Sequence, residues 1–244
     1  MDLRPGWASG TEVSSTMVSA GEIVALQDRL TLLWHETAGE KYPSAPVNSV
    51  DAWLGLVTRQ HRANFDLWHI EDEARAPRVS DAELAEVKRR IDKTNQLRND
   101  LVEELDRNLL AWLEAHGLPK AGAPLNSESP GLIIDRLSIL ALKIYHTREE
   151  TERRDAPEGH AERNLARLEV LREQRADLAA CLDALWQDTM SGVRCFKLYR
   201  QMKMYNDPAL NPAMYRKTGN EGTREQGSEA AREQGSKKLG SEEF

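Results

Sequence analysis

The stretch SDAELAEVKRRIDKTNQLRNDLVEELDRNLLAWLEAHG, residues 80–117, decides the fold. It opens on Ser80 with Glu83 three residues later, a pairing in which hydroxyl and carboxylate satisfy the first free N–H groups of a helix. No Pro or Gly follows until Gly117 and Pro119. The spacing therefore predicts one unbroken helix over 80–116, about 36 residues and roughly 54 Å long. Leu84, Val87, Ile91, then Leu101 or Val102, Leu105, Leu109 and Trp112 give it an apolar stripe. Inside that stripe DKTNQLRND, residues 92–100, is out of character, because Asn and Asp side chains compete for backbone hydrogen bonds. Stepping by three or four from Ile91 lands on Asn95 and Arg98, which puts both at core positions. Asp92 and Asn99 fall on the edge of the stripe.

The neighbouring segments read the same way. Ile23, Leu26, Leu30 and Leu33 mark a helix from Ala20 to Glu36. GEKYPSAPVN (39–48) is a loop by its prolines and small polar residues. A second helix runs from Ser49 to Ala74, stopped by Pro77. After the 80–116 helix, the loop 121–131 leads to a fourth helix, Leu132 to Arg154. The fifth starts at His160 and is expected to pass Tyr199, with Gly192 as a kink. Long helices joined by such loops predict an all-α fold, an antiparallel bundle of about five helices in a single domain over residues 20–216. Residues 1–19 read as an irregular arm. Residues 217–244 carry REQGS twice and no aromatic until Phe244, too little apolar surface to offset ordering entropy, so a disordered tail is expected.

Composition narrows the function. Of 244 residues 30% are charged, and the net charge is −7, the wrong sign for a duplex nucleic-acid face. The longest apolar runs are far too short to span a bilayer, and the first residues hold no continuous apolar run of a secretory signal. Cys181 and Cys195 fall in one predicted helix roughly 21 Å apart, beyond disulfide reach, which favours a reducing, cytoplasmic setting.

Three helices interrupt their apolar stripes with polar groups. On the second, Leu54, Val57, Phe65 and Trp68 share a face with His61, Asn64, Asp72 and Arg75. On the fourth, Ile139 and Leu142 share one with Asp135 and His146. A buried polar group left unpaired costs about 1–3 kcal/mol, so these groups are expected to meet one another or a ligand. A network of Arg–Asp and Asn hydrogen bonds would fix helix register; a cluster open to solvent would be a site. At least one of Asp72, Asp92 and Asp135 is expected to pair with Arg75, Arg98 or Arg136 across a helix interface.

Other chemistries fit less well. Glu83-x-x-Glu86 and Glu103-x-x-Asp106 imitate the paired acidic motif of all-α nucleotide pyrophosphohydrolases, but on one helix they stand roughly 30 Å apart and cannot share magnesium. His69-x-x-Asp72 and His146-x-x-Glu149 place imidazole and carboxylate one turn apart on two helices. The Glu-x-x-His pattern and bridging glutamates of di-iron bundles are missing, so no metal is assigned. No Gly-rich phosphate loop, GxSxG or Cys with a nearby base is present. No cofactor is assigned.

Four stretches in order resemble the bacterial domain-of-unknown-function 4254 family: Asn64–Arg75 (NFDLWHIEDEAR), Asp92–Asp100, Pro130–Lys143 (PGLIIDRLSILALK) and Phe196–Pro208 (FKLYRQMKMYNDP). The resemblance spans about residues 20–216. It implies a helical cytosolic protein, often encoded beside glycosyltransferases of lipopolysaccharide or surface-polysaccharide assembly, and it carries no established activity. It marks Asn64, Glu71, Asp72, Arg75, Asp92, Asn95, Arg98, Asn99, Asp100, Asp135 and Arg136. All of these except Asp100, together with His61 and His146 from the helix faces, are the candidate ligand-binding residues. The expected role is a binding or accessory protein of surface-glycan biosynthesis, with a polar inter-helix site and a glycosyltransferase or phosphorylated sugar as partner. One rival is an enzyme on a phosphorylated sugar or nucleotide-sugar, in which Arg75, Arg98 and Arg136 hold phosphate and Asp72 or Asp135 serves as base or magnesium ligand. The other is a purely structural partner of a glycosyltransferase.

Overall fold

The computed structural model describes residues 18–37, 49–77, 79–200, 202 and 209–212. The expected 39–48 loop, most of the N-terminal arm and the 217–244 tail lie outside them. Among the described residues there are five helices: α1 (Ala20–Glu36), α2 (Ser49–Glu73), α3 (Asp81–Ala115), α4 (Pro130–Glu152) and α5 (His160–Met190). Among the described residues there is no strand, only one isolated bridge between Leu125 and Cys195. The unit Met1–Tyr199 holds all five helices; the chain from Arg200 onward forms a separate unit.

Local chemistry explains the helix ends. Ser80 accepts from the Glu83 N–H while Glu83 accepts from the Ser80 N–H, so α3 starts where its capping pair places it. It then continues unbroken through DKTNQLRND. α4 begins two residues before the expected Leu132, because Ser129 caps it and Pro130 suits the first turn, where no N–H is needed. The carboxylate of Asp106 on α3 also reaches this terminus, accepting from Ser129 Oγ and, at 2.7 Å, from the Gly131 N–H. α3 and α4 touch closely here: a Cβ on Gly131 would stand 2.7 Å from the Val102 carbonyl oxygen.

The expected extension of α5 past Tyr199 is wrong, and Gly192 ends the helix instead of kinking it. Its φ of +73° puts it in the left-handed region that glycine tolerates. The Gly192 N–H bonds the Thr189 carbonyl and the Val193 N–H the Asp188 carbonyl, a Schellman termination. The chain then lies along the α3–α4 loop, with Cys195 N–H on the Pro124 carbonyl and Asn126 N–H on the Cys195 carbonyl. Phe196 is thereby buried in the core, and both cysteines are free.

Contact registers give the helix directions. Arg59 with Glu104 and Glu73 with Arg90 make α2 and α3 antiparallel. Arg98 with Asp135 and Asp106 with Gly131 do the same for α3 and α4. α5 opposes α1 through Ala20 with Asp183 and Asp28 with Arg175. α1, however, runs the same way as α2 and α4: Gln27 meets Ile134 where His35 meets Tyr145, and Thr31 meets His61 where His35 meets His69. The main core joins Ile23, Val57, Leu105, Leu109, Ile134, Leu137, Leu182 and Trp186 across all five helices. A smaller apolar cluster of Leu30, Trp34, Phe65 and Leu142 sits between α1, α2 and α4. Val18, assigned to the irregular arm, is buried against the main core.

Candidate functional site

Asp135, buried on α4, is the hub of a polar network. Arg98 of α3 clasps it with two donors, Nε to Oδ1 at 2.8 Å and Nη2 to Oδ2 at 2.5 Å. Gln60 Nε2 and Asn64 Nδ2 of α2 donate to the same Oδ1 at 2.6 and 2.9 Å. This is the expected inter-helix pair, in the bidentate form that gives Arg–carboxylate contacts their geometric definition.

The network continues through α2 to α1, and its proton positions follow from its acceptors. Thr31 Oγ1 donates to the Gln27 carbonyl at 2.8 Å, so it must accept the His61 Nε2–H at 2.9 Å. His61 Nδ1 is then left to accept from Ser138 Oγ at 2.7 Å, while Ser138 Oγ accepts the second Asn64 Nδ2 hydrogen at 2.9 Å. Both imidazole nitrogens are occupied in the neutral ring. Burial pushes His61 down to about 3, only partly opposed by a hydrogen bond to the Gln27 backbone.

On its solvent side the network opens into a cleft of about 350 Å³ between α2, α3 and α4. Asn64 and Arg98 form its polar floor, Trp68, Ile139 and Leu142 its apolar wall, and Glu71, Asp72 and Arg75 its rim. Arg75 is largely exposed and paired with its own helix, Nη1 to the Glu71 carbonyl at 2.7 Å and Nη2 to the Glu71 carboxylate at 3.1 Å.

The candidate residues do not all converge. His61, Asn64, Arg98 and Asp135 join the network, and Glu71, Asp72 and Arg75 ring its mouth. Asn95 is half-buried and touches Arg98 at 3.4 Å, whereas Asn99, placed at the edge from sequence, is the buried one. Asn99 falls in step with the buried Val102, Asp106, Leu109 and Leu113, whereas Ile91, from which the stripe was stepped, is only half-buried. Asp92 bonds Lys88 on its own helix, and Arg136 turns outward to Glu128. Arg136 faces a second groove, between α4 and α5, of about 630 Å³. Asp100 bonds Gln96 at the surface. Gln60, Ser138, Thr31 and Gln27 were missed. Gln60 and Thr31 are ordinary helix residues in sequence, though Gln60 sits four residues before Asn64 on the same face.

His146 lies elsewhere, beside two histidines whose partnership the sequence did not reveal. One ligating atom each from His35 of α1, His69 of α2 and His146 of α4 lie within 4.8 Å of one another. Trp68 stacks on His146, with ring centroids 4.8 Å apart, and so separates this cluster from the cleft. His35 is lowered from its ordinary value, chiefly by burial, against the Thr31 hydrogen bond and with the nearby His146 and His69 adding to the fall.

The model of a family described as a protein of unknown function (DUF4254) matches residues 54–198. The chain belongs to this family. The matched span is narrower than the resemblance over 20–216 suggested; it holds the polar residues of α2, α3 and α4 but not α1, and it ends within the fourth motif. No curated protein and no solved structure matches the chain. No helix among the described residues is long and apolar enough to cross a membrane.

Proposed function

We propose that this DUF4254 protein is a cytoplasmic binding or accessory protein of surface-polysaccharide biosynthesis, and that the α2–α3–α4 cleft receives a phosphorylated sugar or nucleotide-sugar. The observation that carries this reading is the mouth of the polar network: a cleft with an immobilised guanidinium and amide at its floor, one exposed arginine at its rim and an indole in its wall. An indole beside polar donors suits a sugar ring, and Arg75 can turn from Glu71 to a phosphate. The surface-glycan setting and the glycosyltransferase partner come from the family resemblance.

Binding is favoured over catalysis by the state of Asp135. Its two oxygens accept from Arg98 twice, from Gln60 and from Asn64, which leaves little capacity to take a substrate proton or a magnesium ion. Asp72 stands at the exposed rim beside Arg75, outside the floor.

Calorimetric titration of the full chain with hexose phosphates and nucleotide-sugars tests the proposal. Arg75→Ala removes an exposed side chain, and is expected to leave stability unchanged and weaken binding about tenfold or more, the worth of one charged hydrogen bond. Absence of binding across the panel, or binding that neither Arg75→Ala nor Trp68→Ala alters, would refute it.

A further inference from the structure

The geometry points to a transition-metal site formed by His35, His69 and His146, one histidine from each of the three helices α1, α2 and α4. His35 Nδ1 lies 2.7 Å from the Thr31 carbonyl oxygen and His69 Nδ1 2.8 Å from the Phe65 carbonyl oxygen. A carbonyl can only accept, so both Nδ1 atoms carry their hydrogens. His146 Nδ1 lies 2.8 Å from Glu149 Oε2, and it too donates. In the neutral form of each ring the hydrogen is committed to Nδ1, so Nε2 carries a bare lone pair.

Two of those lone pairs have no partner. The Nε2 atoms of His35 and His146 are buried without a hydrogen-bond partner. None of the three rings can donate to another, because none has a hydrogen on Nε2. Three acceptors crowded together are unfavourable unless a cation lies among them. The rings are also held in place: His35 stacks on Tyr145 at 4.0 Å between centroids, His146 on Trp68 at 4.8 Å, and His69 packs on Phe65 at 4.3 Å. Nδ1–H pinned to a carbonyl or carboxylate with Nε2 free is the outer-shell arrangement that orients histidine toward a metal.

The donor set selects the ion. Imidazole nitrogens suit zinc, copper, nickel, cobalt and iron, while magnesium and calcium prefer oxygen. Metal–nitrogen bonds of about 2.0–2.1 Å place tetrahedral nitrogen pairs roughly 3.3 Å apart, so ligating nitrogens now within 4.8 Å of one another need to close modestly on the ion. Three neutral histidines leave a fourth position for water or another ligand, as in zinc centres with an open site. All three histidines are partly exposed residues of their helices. This inference is independent of the sugar-binding cleft, whose failure would not affect it.

The test is titration of the untagged full chain with Zn2+, and with Co2+ as a spectroscopic probe. One ion per chain is expected, with visible absorption from nitrogen-ligated Co2+. His35→Ala, His69→Ala and His146→Ala should each weaken Zn2+ binding by at least about tenfold, the lower end of what even outer-shell changes cost. Glu149→Ala should weaken it less. A Cys181→Ser/Cys195→Ser variant should bind like the wild type. In the wild type, without any variant, Zn2+ should protect His35, His69 and His146 from diethyl pyrocarbonate and leave exposed His116 reactive. No stoichiometric binding to the folded wild type, binding unchanged in all three histidine variants, or modification of the three histidines undiminished by Zn2+ would each overturn the assignment.

Discussion

The same three helices build two adjacent polar layers with opposite fates. Thr31, His61 and Ser138 form one; His35, His69 and His146, one or two helical turns further along α1, α2 and α4, form the next. In the first layer every hydroxyl and ring nitrogen has a partner, and the chain of bonds ends on a carboxylate clasped by Arg98. In the second, each ring donates from Nδ1 and two Nε2 atoms are buried unpartnered. Composition is nearly the same in both, imidazole with hydroxyl or backbone. What differs is whether the imidazole nitrogens are matched; beside the first layer the side-chain oxygens of Gln27 and Gln60 are also buried without a partner. A matched layer fixes helix register; an unmatched one is built for something that is not protein.

The comparison can be broken most forcefully at Arg98. Arg98→Ala leaves Asp135 with only the two amide donors in a buried setting. The expected cost is about 3 kcal/mol, the low end of breaking a buried pair, read by urea unfolding at neutral pH. A loss under about 1 kcal/mol would mean that the first layer does not hold the helices together.

Acidification sharpens it next. His61 has a folded pKa of about 3 against 6.5 when unfolded, so its contribution is complete above pH 6.5 and is lost as pH falls through that window. Between pH 6.5 and 4 the loss is roughly 3 kcal/mol. Asp106 acts in the opposite sense: burial, first of all, raises it from 3.8 to about 6, so its contribution is present below 3.8 and lost as pH rises through 6. The two slopes partly cancel in the wild type. The informative quantity is the stability gap between wild type and His61→Gln, which should narrow by roughly 3 kcal/mol on going from pH 6.5 to 4. A gap independent of pH would mean that His61 is not held neutral.

The smallest effect is expected in the second layer. His35→Phe keeps the stack on Tyr145 and removes one of three crowded acceptors. Without added metal it should change stability by less than about 1 kcal/mol, since an apolar isostere of an unsatisfied group is close to neutral. A loss as large as that of Arg98→Ala would erase the distinction between the layers.

How much of this could be read in the sequence follows from which signals are local. Helix existence and the α3 start were legible, because apolar spacing and the Ser80–Glu83 cap act within a few residues. The end of α5 was not: Phe196, Leu198 and Tyr199 keep a helix-like apolar pattern, and only the docking of Cys195 on the Pro124–Asn126 segment shows why the chain leaves the helix at Gly192. That one of three aspartates would pair with one of three arginines was foreseen, since these residues interrupt or edge apolar stripes, but the sequence did not single out Arg98 and Asp135. Asn99 was misplaced because the stripe was stepped from Ile91, which is only half-buried in the first half of α3. The histidine cluster could not be seen, since its members are 34 and 77 residues apart, as the numbers 35, 69 and 146 give by subtraction, and α1 runs parallel to α2 and α4. An all-antiparallel arrangement would have set His35 at the far end from the other two.

The central claim is that proton placement differs between the layers, and long-range 15N–1H correlation of the imidazole rings at neutral pH tests it directly. The expected result is a hydrogen on Nε2 of a neutral His61, and a hydrogen on Nδ1 of His35 and His69. Finding His35 or His69 protonated at Nε2, or His61 protonated at Nδ1, would contradict it.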